Sequence, residues 1–213
     1  MHTKRLFTVV GILLFVCNAA NAQRTWFEFE ISKSLGEKFE IALAPEIRFK
    51  EDIELHEYFF EPKIEYKFNT YFALGANYRF GNNPDKEGNA QWFGRYALEG
   101  KTGYDFKNLE FGFRLRYTNF DDFGGDKEER TNYLRFKFQL QYDIKKIDLK
   151  PYVAYELYRN LTEGEFTKAR WEAGLEYKLN KHHRAGAYYR LNDYLVSDDD
   201  NVKIVGLSYK YKI

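Results

Sequence analysis

Between Asn132 and Tyr158 the chain contains one complete hydrophobic–polar unit. Leu134, Phe136, Phe138, Leu140 and Tyr142 alternate with Tyr133, Arg135, Lys137, Gln139 and Gln141. After Lys145-Lys146 the alternation resumes as Leu149, Pro151, Val153, Tyr155 and Leu157 against Lys150, Tyr152, Ala154, Glu156 and Tyr158. A period of two sends successive side chains to opposite faces, so each arm is a strand with one apolar and one polar face, and the pair is a hairpin. Each arm is about the ~9–11 residues that a tilted strand needs to cross a bilayer.

The unit recurs from Thr25 to the end of the chain. Phe27, Phe29 and Ile31 are followed by Phe39, Ile41, Leu43, Ile47 and Phe49, and then by Tyr58, Phe60, Ile64, Tyr66 and Phe68. Later apolar rows include Leu109 to Tyr117, Trp171 to Tyr177, Ala185 to Leu191 and Val205 to Ile213. Short connections at 35–38, 69–70, 106–108, 145–146 and 180–182 interleave with polar ones at 51–57, 81–91, 121–131, 159–167 and 193–200. That is the outer-membrane pattern of short periplasmic turns and longer external loops, and nothing after residue 22 reads as a helix. The fold class predicted is all-β, an antiparallel up-and-down transmembrane β-barrel of 10–12 strands. The direct count is eleven, whereas bacterial barrels have an even number. This implies either that the N-terminal stretch threads the lumen or that one strand is merged or split. Pro45 and Pro62 fall inside strands, where each removes a ladder donor, and a local bulge is expected at each.

Alternation alone does not distinguish a membrane barrel from a soluble barrel or sandwich. Composition helps, because 19% aromatic and 31% charged residues in one chain require two surfaces kept apart. Aromatics gather at strand ends: Phe68, Tyr71, Tyr104, Phe106, Tyr142 and Tyr177 near the short turns, and Tyr58, Phe80, Trp92, Tyr117, Tyr133 and Tyr158 near the loops. Rings with one wet edge form girdles at bilayer interfaces. The polar face carries long side chains of both signs, namely Glu99, Arg114, Arg116, Arg135, Lys137, Glu156, Arg170, Glu172 and Glu176. These are predicted to form a charge network filling the lumen.

The ends of the chain agree with this reading. Lys4-Arg5, the apolar run Leu6–Cys17 and Ala20-Asn21-Ala22 form the three parts of a secretory signal peptide. The expected organisation is a cleaved signal peptide at 1–22 and a single outer-membrane β-barrel domain at 23–213, in the cell outer membrane of a Gram-negative cell. The final strand, Val205 to Ile213, has the form of an assembly signal, so the expected partners are outer-membrane lipid and the barrel-assembly machinery.

Trp26 with Glu28, Pro45-Glu46-Ile47-Arg48, Tyr133-Leu134-Arg135, Pro151-Tyr152 followed by Tyr155-Glu156, and Arg170 with Gly174-Leu175-Glu176-Tyr177 together resemble the bacterial family catalogued as domain of unknown function 2490. The resemblance covers nearly the whole chain after residue 22. It implies an outer-membrane barrel and supplies no catalytic residues.

Chemistry is sparse. The single cysteine, Cys17, lies in the leader, which excludes a disulfide framework and cysteine-based sites from the rest of the chain. A formal charge of +1 excludes the basic excess of a nucleic-acid binder. A hydrolase would need a serine beside a histidine with an orienting acid or amide, and His56, His182 and His183 have no adjacent serine along their strands. His56 with Glu54 and Glu57 reads as a solvated charge run before it reads as a metal site. Asp121-Asp122 with Asp126, and Asp198–Asp200, are the best calcium candidates, without the spacing of a known calcium loop. Gly112, Gly174, Gly186 and Gly206 read as packing relief beside bulky lumen residues. No cofactor, catalytic residue or metal ligand is assigned, and the protein is read as a non-enzyme. The expected function is a structural or interaction barrel, or a narrow pore for small polar solutes. An outer-membrane hydrolase and a soluble periplasmic β-barrel binding a small ligand are the alternatives.

Overall fold

The structure is a computed structural model that describes residues 22–85, 87–119, 121–122, 131–196 and 200–213, with no side-chain description at 121–122. The leader up to residue 21 lies outside the described residues. Strands are β1 (Arg24–Leu35), β2 (Phe39–Phe49), β3 (Leu55–Lys67), β4 (Phe72–Asn82), β5 (Trp92–Phe106) and β6 (Leu109–Thr118), then the two-residue β7 (Asp121–Asp122). They continue as β8 (Tyr133–Tyr142), β9 (Leu149–Asn160), β10 (Phe166–Lys178), β11 (His183–Tyr194) and β12 (Val202–Lys212).

Local chemistry sets the short turns. Asn69 accepts the backbone N–H groups of Tyr71 and Phe72 on its side-chain oxygen, both at 2.8 Å. Asn180 does the same for His182 and His183, each an Asx-type closure that reverses the chain without a long loop. Gly36 supplies the left-handed residue of the first turn, at φ 69°.

Each long strand pairs antiparallel with its chain neighbours, β6 passing to β8 because β7 pairs only with the start of β5. Eleven long strands therefore form the wall, and β1 and β12 close it by running parallel, from Arg24 opposite Ile204 to Ser32 opposite Lys212. An up-and-down ring of odd number must contain one parallel contact. The odd count thus needs neither a threaded N-terminal stretch nor a merged or split strand, and the ring is antiparallel everywhere except this seam.

The expected bulges at the prolines are absent. Pairing of β1 with β2 breaks between Glu28 opposite Glu46 and Ile31 opposite Leu43, then resumes in the same register. Pairing of β3 with β4 breaks between Phe60 opposite Phe80 and Lys63 opposite Asn77, and also resumes unchanged. Pro45 and Pro62 lack an N–H, so each leaves a gap in one ladder while staying in register with the other proline's strand, where Pro45 faces Phe60 and Pro62 faces Leu43. The charged stretch expected as a loop at 51–57 is shorter than that. A three-residue 3-10 turn spans Glu51–Ile53, and His56 and Glu57 already belong to β3.

The apolar rows point outward. Leu98, Phe138, Val153 and Trp171 are each more than half exposed, which in water would be a continuous apolar surface that soluble proteins avoid. Strands of 11 residues at ~3.3 Å per residue, tilted by ~40°, rise ~28 Å, the thickness of a bilayer's hydrocarbon core. Rings cluster at both rims: Phe80 stacks on Trp92 at 5.1 Å near the loops, and Tyr71 on Tyr104 at 6.4 Å near the turns. Tyr133 and Tyr158 are exceptions to the expected girdle. Both stand on the inward parity, Tyr158 is buried, and its hydroxyl accepts a hydrogen bond from Arg135.

Candidate functional site in the barrel interior

The interior is built from the polar parity of every strand. Glu156 of β9 is its main hub. Arg135 Nε and Nη2 donate to its two oxygens at 3.1 and 3.0 Å, Arg114 Nη2 donates at 2.8 Å, and the Arg170 guanidinium lies 3.9 Å away. The Tyr158 hydroxyl donates to the same carboxylate at 3.0 Å. Only 4% of the Glu156 side chain is exposed. Two-pronged guanidinium–carboxylate pairs fix geometry as well as charge.

A second hub joins β3 to β6. Arg79 Nε donates to Glu61 at 2.8 Å, Arg116 Nε donates to Glu99 at 2.8 Å, and Arg116 also lies 3.8 Å from Glu61. A third crosses the parallel seam: Arg190 pairs with Glu172 and, at 2.8 Å, with Glu28, whose carboxylate also accepts the Tyr188 hydroxyl. Lys137 reaches Glu172 at 3.4 Å. Guanidinium groups also cover rings, Arg79 over Phe59 at 3.4 Å and Arg48 over Trp26 at 3.9 Å. Every carboxylate in these hubs except Glu28 is buried, so the hubs form a packed belt across the barrel.

Toward the short turns the pairing is looser. Glu176 accepts from Arg184 and Lys210, and Glu40 accepts from Lys67 and Lys212, in partly exposed positions. There the interior widens into a vestibule of about 590 Å³, whose lining includes Glu65, Lys101, Arg114, Lys137 and Gln139 beside the small residues Ala73, Gly103 and Gly112.

Glu99, Arg114, Arg116, Arg135, Lys137, Glu156, Arg170 and Glu172 therefore stand in or against the belt, whereas Glu176 stands at the turn-side mouth. Sequence reasoning left Glu28, Glu61, Arg79 and Arg190 out of the network, although they occupy the same parity. The useful signal was position on the strand, which register alone converts into contacts.

Glycines complete the packing. A Cβ on Gly174 would sit 2.6 Å from Tyr152, one on Gly186 would sit 2.6 Å from the Ser208 hydroxyl, and one on Gly206 would overlap the Tyr188 ring. Tyr152 faces Gly174 and Tyr188 faces Gly206 directly across the ladder. Gly112 has nothing closer than 3.8 Å.

His182 Nδ1 is bonded to the Lys212 carbonyl at 2.7 Å, and His183 Nδ1 to the Tyr209 hydroxyl. Glu57, beside His56, is taken by Arg48 and lies near Arg79. Among the described residues no three His, Cys, Asp or Glu side chains gather as a metal-binding group. The calcium candidates at Asp126 and 198–199 lie outside the described residues.

The family model described as "Protein of unknown function (DUF2490)" matches residues 23–202. The chain belongs to this family. No curated protein matches its sequence. Among solved structures, a KdgM porin in complex with disordered oligogalacturonate is 17% identical, with 86% of this chain and 90% of that chain covered at a TM-score of 0.50. The β domain of the Bordetella autotransporter Brka is 12% identical, with 83% of each chain covered and a TM-score of 0.48. At 17% identity the likeness to the KdgM porin is one of fold, and this member of the family has the fold of an outer-membrane β-barrel.

Proposed function

We propose that this protein is a structural or interaction barrel of the outer membrane whose interior is closed by ion-paired side chains, not an open pore. The observation that carries this reading is the belt joining Glu61, Arg79, Glu99, Arg116, Arg135, Glu156 and Glu172, all at most 9% exposed. A barrel of this strand number has an interior that long side chains can fill. Reciprocal pairing lets the charges do so without being left bare. The outward apolar rows support insertion in a bilayer and oppose the soluble periplasmic alternative. The engagement of His182 and His183 through Nδ1 supports a non-enzymatic role over a hydrolase.

Planar-bilayer recording on the purified mature chain tests closure. Insertion is checked separately by heat-modifiable gel migration of the same protein from liposomes. The expected result is a folded, inserted barrel with no unitary conductance. Steady ion-conducting steps from such a preparation would show an open pore and overturn the reading.

A further inference from the structure

On the loop-ward side of the belt, two inward-facing cations have no carboxylate of their own among the described residues. Arg95 of β5 and Lys168 of β10 both project inward on the polar parity and are half-buried. Arg95 stands directly opposite Arg79 across the β4–β5 ladder, and Arg135 and Arg48 add to the repulsion it feels, with Glu61 on the attractive side. Glu61 is already bonded to Arg79 at 2.8 Å and approached by Arg116. Lys168 has Arg170, Arg135 and Arg95 as charged neighbours against Glu156, and its ammonium lies 4.1 Å from the centre of the Tyr158 ring. Glu156 is committed to Arg114, Arg135 and Arg170. Among the described residues neither Arg95 nor Lys168 has a carboxylate of its own.

A second observation points the same way. The Thr118 hydroxyl, near the loop end of β6, and the indole N–H of Trp26, on β1, are buried without a hydrogen-bond partner among the described residues. Both residues face the interior. Buried polar groups are normally paired, and two such donors in the loop-ward interior mark a place that an acceptor with negative charge would complete. A planar guanidinium and an ammonium turned into the same loop-ward interior suit a compact oxyanion, the first by two parallel N–H donors and the second as a point charge.

We propose that the loop-ward interior of the barrel, at Arg95 and Lys168, binds a small soluble oxyanion carrying a phosphate, sulfate or carboxylate group. Because the cations point inward and the apolar wall separates them from lipid, the ligand enters from the loop end and is not a headgroup reaching through the wall. The site needs no open pore, so it stands or falls separately from closure of the belt.

The test uses the folded barrel in a non-ionic detergent, with inorganic phosphate as probe at constant ionic strength balanced by chloride. Phosphorus-31 line broadening of the phosphate, and the temperature midpoint of heat-modifiable migration, are read for wild type, Arg95→Gln and Lys168→Met. Wild type is expected to broaden the resonance saturably and to shift its midpoint upward with phosphate. Each variant is expected to lose affinity by roughly tenfold or more, the worth of one charge-assisted hydrogen bond, while keeping or raising its midpoint without phosphate, since an uncompensated buried cation has gone. A wild-type protein indifferent to phosphate overturns the proposal. So does an undiminished phosphate response in both variants, or a response that appears only with phosphatidylglycerol bicelles and not with inorganic phosphate.

Discussion

Replacing Glu156 by Gln removes one negative charge from the centre of the belt while keeping volume and one acceptor oxygen. The wild-type carboxylate takes two donors from Arg135, one from Arg114 at 2.8 Å and one from Tyr158, with Arg170 at 3.9 Å. With the side chain 4% exposed, water cannot substitute for the lost charge. Breaking one partner of a buried pair costs about 3–5 kcal/mol, because the guanidinium groups stay behind uncompensated. Glu176→Gln is the matched control. It also loses two cationic partners, Arg184 and Lys210, but their side chains are 49% and 45% exposed, and such pairs are worth about 0–1 kcal/mol. Equilibrium unfolding of the barrel in urea from lipid vesicles, read by tryptophan fluorescence and gel migration, gives both numbers. Adding Arg135→Gln to Glu156→Gln is expected to recover part of the loss by removing one stranded charge. Equal costs for Glu156→Gln and Glu176→Gln, or no recovery in the double variant, would refute the view that buried pairing holds the interior together.

Gly174→Ala places a methyl 2.6 Å from the Tyr152 ring, and overpacking of this kind costs about 1–3 kcal/mol. Gly112→Ala, with its nearest neighbour at 3.8 Å, is expected to be neutral or slightly stabilising in the same unfolding assay. Glu28→Gln weakens the bonds from Tyr188 and Arg190 that cross the parallel seam. It is expected to cost about 1.5–3 kcal/mol and to raise amide exchange in β1 and β12 more than in β6 and β8.

The strands were legible because apolar residues face outward at a strict period of two, as the row from Leu134 to Tyr142 shows, and every apolar row keeps one parity. Parity also outranked residue type. Tyr133 and Tyr158 have the chemistry of girdle residues, yet their even spacing from Arg135 and Glu156 commits them to the interior. The seam was not legible, since nothing local distinguishes Phe27 facing Leu207 in a parallel contact from the same residue at an antiparallel one. Only ring closure with an odd count decides it. The hubs were half legible: the strand pattern supplies inward charges, but the partnership of Glu61 with Arg79 or Glu28 with Arg190 depends on register and on reach across the barrel. The proline positions were read correctly as donor losses and wrongly as bulges, because a missing N–H can be tolerated as a local gap when the other ladder keeps the strand in place.

The parallel seam also decides sidedness. β1 and β12 both start at the loop rim and both end at the turn rim, so chain entering at Arg24 and chain leaving at Lys212 lie on opposite faces of the membrane. In an even-stranded barrel, tags placed at the two ends would meet the same compartment. Here only one of an epitope ahead of β1 and an epitope after β12 would be labelled on intact cells, the other only once the outer membrane is opened, so one antibody accessibility experiment with the two fusions reads out both the strand parity and the direction in which the barrel is inserted.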